Sequence, residues 1–87
     1  MKKQIDPFTY MLPTLDLHGV DRVYASYKTN EFILENVKLK NKKIVIIHGI
    51  GTGIVKESVH NTLSRNKNVS EFYLDGMNIG ETIVFLK

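Results

Sequence analysis

The 87-residue chain contains no cysteine. No disulfide can staple the fold, and a thiolate metal site or a cysteine nucleophile is excluded. No apolar run approaches the roughly 18–20 residues needed to cross a bilayer. The leading "MKKQIDPFTYML" has two lysines but no continuous apolar stretch or small-residue cleavage site behind them. These absences predict a cytoplasmic protein, complete in itself, with no membrane partner. Proline is scarce, and Pro7 and Pro13 both precede residue 14, so residues 1–13 read as an irregular amino-terminal arm. Ile5, Phe8, Tyr10, Met11 and Leu12 are too apolar for a solvated tail. The arm is expected to pack on an open sheet face or to pair two copies as a homodimer.

Acidic charge is in mild deficit. Twelve Lys and Arg oppose nine Asp and Glu, for a net charge of +3 and a pI near 9.2, which favours a polyanionic partner such as nucleic acid. A composition of 43% hydrophobic and 24% charged residues is that of an ordinary globular chain. At this length it makes one domain, burying only roughly 60–65% of its unfolded surface.

"TLDLHG" (14–19) alternates, with Leu15 and Leu17 against Asp16 and His18, as a short strand closed by Gly19 would. Asp21 is a plausible N-cap. Val20, Val23, Tyr24, Tyr27, Asn30, Ile33, Leu34 and Val37 recur at helical spacing, predicting an amphipathic helix over 22–38. "KIVIIHG" (43–49) reads as a strand covered on both faces. Val55, Val59 and Leu63 mark a second helix near 54–66. "VSEFYLD" (69–75) alternates as an edge strand, "GMNIG" (76–80) reads as a loop, and "ETIVFLK" (81–87) as an interior strand. The order is β-α-β-α-β-β, and two right-handed crossovers in one direction put both helices on one face of a mixed sheet.

Glycine is also sparse, six in all, yet three fall at alternate positions in "IIHGIGTG" (46–53). One reading is a tight strand-to-helix turn. The other is a cradle of main-chain N–H groups for a phosphate, with Thr52 adding a hydroxyl and Lys56 a charge. The spacing is neither that of a Walker loop nor that of the dinucleotide fingerprint. The first two strands both end in His-Gly, at residues 18–19 and 48–49. If they are parallel neighbours, about 4.8 Å apart, Asp16, His18 and His48 converge on the sheet edge where open α/β folds bind ligands. A metal on these three has an acceptable ligand set. His60 shares a face with Lys56 and Ser64, away from the apolar stripe, and reads as a solvated residue able to touch a phosphate. Lys38, Lys40, Lys42 and Lys43 fall at the opposite edge.

"LDLHG" (15–19), "KIVIIHGIGTGIVKESV" (43–59) and the closing "GETIVFL" (80–86) resemble, in this order and spacing, the Smr (small MutS-related) domain family over residues 14–87. The resemblance implies an α/β fold, an α+β two-layer sandwich similar to the C-terminal domain of a bacterial translation initiation factor. Its four-stranded mixed sheet has the last strand between the second and third. The family binds nucleic acid and includes members that nick DNA or cleave RNA, with roles in repair, recombination and translation quality control, the last implying ribosome association. Its matching positions are Asp16 and His18 in the first motif, and His48, Gly49, Gly51 and Gly53 in the second, with Lys56 where a basic residue often follows.

These residues suggest a division of labour. The glycine amides, the helix N-terminus and Lys56 hold the phosphate, and His48 acts as general acid or base, its ordinary pKa of about 6.5 suiting the task. Asp16 orients, deprotonates, or binds Mg²⁺ with the phosphate. A non-catalytic module that grips phosphates through the same loop is the competing expectation.

Overall fold

Residues 12–87 are described by a computed structural model; the expectations for residues 1–11 lie outside the described residues. The chain runs β1 (Thr14–Asp16), α1 (Arg22–Lys38), β2 (Lys43–Ile47), α2 (Ile54–Arg65), β3 (Val69–Asp75) and β4 (Asn78–Leu86). The strands form one sheet in the order β1-β2-β4-β3. β1 pairs parallel with β2, Asp16 facing Ile47, and β4 runs antiparallel between β2 and β3. Among the described residues no helix is long and apolar enough to cross a membrane.

Both helices cover one face. Ile44, Ile46, Val84 and Leu86 from the two central strands meet Ala25 and Ile33 of α1 and Val59 and Leu63 of α2, with Leu17 closing the end of β1. The helices also touch each other through three polar contacts. Ser58 Oγ donates to the Arg22 carbonyl (2.6 Å), Thr62 Oγ1 lies 2.8 Å from Ser26 Oγ, and Asn66 Nδ2 donates to Asn30 Oδ1 (2.9 Å). The partners are 36 residues apart in every case, so the two helices run parallel and in register, one turn per rung.

Asp21 caps α1 as expected, its carboxylate accepting the Tyr24 N–H at 2.8 Å. The buried face of α1 differs from the expected stripe. Val23, Tyr24, Tyr27 and Leu34 are exposed, and the sheet-facing residues are Ala25, Thr29, Ile33 and Asn36. Apolar side chains occur around most of this helix, so periodicity alone does not select a face. The small Ala25 and Thr29 let it seat closely on the strands. Asn36 is tolerated because it donates to the Phe32 carbonyl and accepts from Asn41.

Residues 76–80 are not a free loop: β4 already begins at Asn78. The Asp75 carboxylate accepts the Met77 N–H and the Asn78 side chain accepts the Gly80 N–H, which closes a tight hairpin. The register with β3 then shifts, Leu74 facing Thr82 while Asp75 faces Asn78, so residues 79–81 have no partners on β3 although Glu81 still faces Ile47 of β2. The pairing of β4 with β2 continues in register past Ile47, so the Gly80 carbonyl accepts the His48 N–H, and also the Gly49 N–H, both at 2.9 Å.

Candidate active site at the ends of β1 and β2

The parallel pairing of β1 and β2 continues one step past the strands, with Leu17 N–H donating to the Ile47 carbonyl. Both chains then turn at His-Gly, and the two corners abut: a Cβ added to Gly49 would lie 3.3 Å from the His18 Cβ. Gly19, Gly49 and Gly53 hold φ near +80°, where a side chain is strained.

Asp16 Oδ1 accepts two bonds from His18, one from its backbone N–H (3.1 Å) and one from ring Nδ1 (2.6 Å). The carboxylate therefore fixes the tautomer, with the proton on Nδ1, and leaves Nε2 for a substrate. Both side chains are exposed, His18 at 72%. The hydrogen bond from His18 holds the Asp16 pKa below its usual range, and the same bond raises that of His18.

His48 lies differently. Its ring is buried, 4% exposed, with both nitrogens engaged. Nδ1 lies 2.9 Å from the Gly49 carbonyl and Nε2 lies 2.8 Å from Thr82 Oγ1; His60 Nε2 reaches the same hydroxyl at 2.7 Å. A carbonyl only accepts, so the uncharged His48 donates from Nδ1 and accepts at Nε2. The single Thr82 proton goes there, and His60 must then donate from Nε2. The chain His60 → Thr82 → His48 → Gly49 carbonyl thus anchors the start of the glycine loop from below.

His60 is accordingly not a solvated residue. It is half-buried, edge-on to His48 with ring centroids 5.7 Å apart, and packed on Phe72 at 5.0 Å. Burial lowers its pKa, and the neighbouring His48 and Lys56 lower it further. It stands behind the loop and is not part of the cleft lining.

The cleft has a volume of about 670 Å³ and is bounded by His18 and Gly19 on one side and residues 48–56 on the other. Gly51, Thr52, Gly53 and Lys56 line it, and Asp16 acts on it through His18. Gly53 is the N-cap of α2 and supplies no side-chain cap. The Thr52 hydroxyl reaches the Ile54 N–H only at 3.4 Å. The first amides of α2 thus open on the cleft with their partial positive charge.

Among the described residues no three His, Asp or Glu side chains gather as a metal-binding group. Asp16 presents one carboxylate with an oxygen already committed to His18, so these side chains do not build a Mg²⁺ site on their own. The sequence reading missed Thr82, whose hydroxyl joins the two histidines. Its signal was a hydroxyl on the inward-facing side of the apolar run 82–86.

A mixed sheet in this strand order, with two helices on one face and paired His-Gly corners over a glycine loop, defines a small α+β domain with its cleft at the sheet rim. Residues 15–87 match the Smr domain family, and the chain belongs to it. It is 40% identical over 76 residues to Endonuclease MutS2 of Streptococcus gordonii, covering 84% of this chain and 10% of that protein. To Endonuclease MutS2 of Clostridium tetani it is 34% identical over 76 residues, with the same coverage, 84% and 10%. The chain thus spans about a tenth of the length of these relatives.

The fold is shared with the crystal structure of the Smr domain of Thermus thermophilus MutS2. That match has a TM-score of 0.84 and 25% identity, covering 87% of this chain and 99% of that one. YdaL, a stand-alone small MutS-related protein from Escherichia coli, superposes with a TM-score of 0.81 at 17% identity, over 100% of this chain and 81% of its own.

Proposed function

We propose that the chain binds nucleic acid in the rim cleft and cleaves phosphodiester bonds in DNA or RNA, as an endonuclease. The observation that carries this reading is the Asp16–His18 pair, 2.6 Å apart, exposed at the mouth of a cleft whose other wall is a glycine loop and an uncapped helix start. The relatives named as endonucleases support it.

The geometry supports the following roles. The Gly51–Gly53 amides, the Thr52 hydroxyl and Lys56 hold the phosphate and offset its developing charge. His18 takes the proton of the attacking hydroxyl at Nε2, whether that is water or, on RNA, the neighbouring 2′-OH, and as the P–O bond to the leaving oxygen breaks the imidazolium passes the proton to that oxygen. Asp16 holds the ring and stabilises the imidazolium that forms, as the carboxylate does in a His-Asp pair. His48 is a positioning residue that fixes the Gly49 carbonyl and so the loop.

The test is cleavage of labelled single-stranded RNA, nicked duplex and branched DNA, with and without EDTA. Cleavage by the wild type, lost by about 10²–10⁴-fold in His18→Ala and in Asp16→Ala while binding persists, supports the enzyme. Binding without cleavage leaves a phosphate-gripping module, and no binding refutes both. The same reading extends to a cytoplasmic setting, to ribosome association, which gradient sedimentation checks, and to a homodimer through residues 1–13, which light scattering checks.

A further inference from the structure

A second depression runs along the outer surface between α1 and α2, with a volume of about 640 Å³. We propose that it is a track for a single strand of the polynucleotide whose scissile phosphate sits in the cleft, an inference that rests on the nucleic-acid reading above. Three observations carry it.

The groove is continuous with the cleft, because Arg22 and Ile54 line both. Its floor is the in-register ladder of hydroxyl and amide side chains, Ser58, Ser26, Thr62 and Asn30 among them. Such a floor sets hydroxyl and amide groups along its length beside the exposed apolar faces of Val23 and Ile54.

Its charge is also right. Arg22 stands at the cleft end and Arg65 at the far end, against one carboxylate in the lining, Glu57. Among the described residues neither guanidinium is held in an ion pair. At about 1.5 Å rise per residue, Arg65 lies roughly 16 Å along α2 from Ile54. A phosphate gripped there belongs to a nucleotide several steps from the cleaved bond.

Finally, Tyr27 lines the same groove with 62% of its surface exposed, a face on which an unpaired base can stack. Helix axes pack about 8–10 Å apart, so the groove admits one strand and not a duplex.

The experiment measures anisotropy of labelled 2′-O-methyl oligoribonucleotides, which present no 2′-hydroxyl to attack, at lengths of about 4 and about 12 nucleotides. The wild type should bind the longer one more tightly. Tyr27→Ala and Arg65→Ala should each weaken it roughly five- to tenfold or more while leaving the shorter one unchanged. Arg65→Ala should also reduce the slope of log affinity against log salt by about 0.7, and Arg65→Lys should restore it. Circular dichroism of each variant confirms the fold.

Equal wild-type affinity for the two lengths, or unchanged binding of the longer one by both alanine variants, overturns the track while the cleft reading survives. Binding of neither length overturns both.

Discussion

Among the described residues two threonines, Thr29 and Thr82, are fully buried, and replacing each with valine should move stability in opposite directions. Thr82 lies in β4 with its hydroxyl between His48 Nε2 and His60 Nε2. Thr29 lies on the core face of α1, and its Oγ1 has no hydrogen-bond partner among the described residues. Valine has nearly the same shape, so neither change opens a cavity. Thr and Val have similar helix propensity, and both suit a strand.

At Thr82 the substitution strands a buried acceptor on His48, worth about 1–3 kcal/mol, and a half-buried donor on His60, worth about 1 kcal/mol. The expected loss is about 2–4 kcal/mol, a large share of the roughly 4–13 kcal/mol that a chain this long possesses. At Thr29 it removes a hydroxyl that folding desolvates without return, for an expected gain of about 1–2 kcal/mol. Urea unfolding near neutral pH reads both, and thermal melts should shift by about 4–8 °C per kcal/mol. A shared sign for the two variants, or a Thr82→Val protein within about 0.5 kcal/mol of wild type, would refute the hydrogen-bond assignment.

Other outcomes follow from the same geometry. His60 has a lowered pKa when folded, so its contribution is complete above its ordinary value of about 6.5 and is lost as pH falls below it. Unfolding midpoints should drop on acidification through that range, and less so in His60→Gln. His18 has a raised pKa, and as a base it works unprotonated. Cleavage should therefore rise with pH through that raised value, and Asp16→Asn should move the rising limb to lower pH while slowing the reaction; a limb that stays in place would remove His18 from the role. Gly49→Ala forces a left-handed residue against the His18 Cβ, and should lower stability by about 1–2 kcal/mol and weaken phosphate binding, read by the same melts and anisotropy.

The interior places of β2 and β4 were legible because their signals are local and strong, while the full strand order came from the family resemblance. "KIVII" and "TIVFL" are continuous apolar runs of the kind that only interior strands carry. The convergence of Asp16 and His18 beside the glycine loop was legible from the repeated His-Gly ending. The environment of His48 was not. A histidine after an apolar strand looks the same in sequence whether it faces the cleft or the core. His48 shares the buried face of Ile44 and Ile46, where Thr82, far along the chain, gives its ring a partner and the Gly80 carbonyl holds the His48 and Gly49 amides. The buried face of α1 escaped for a related reason: small residues chosen for close approach carry no hydropathy signal. His60 was misread because distance from the Val59–Leu63 stripe was taken for exposure, whereas its ring reaches the sheet beside Phe72.

The placement of β4 bears on how the domain is made. The strand that leaves the ribosome after the other three is the one that must enter between β2 and β3. Until it does, β2 has a bare flank, β3 has no neighbour, and the Gly80 carbonyl and Thr82 hydroxyl that secure the glycine loop are absent. Assembly of the cleft therefore waits for synthesis of β4, and a nascent chain halted before it exposes unpaired edges on β2 and β3.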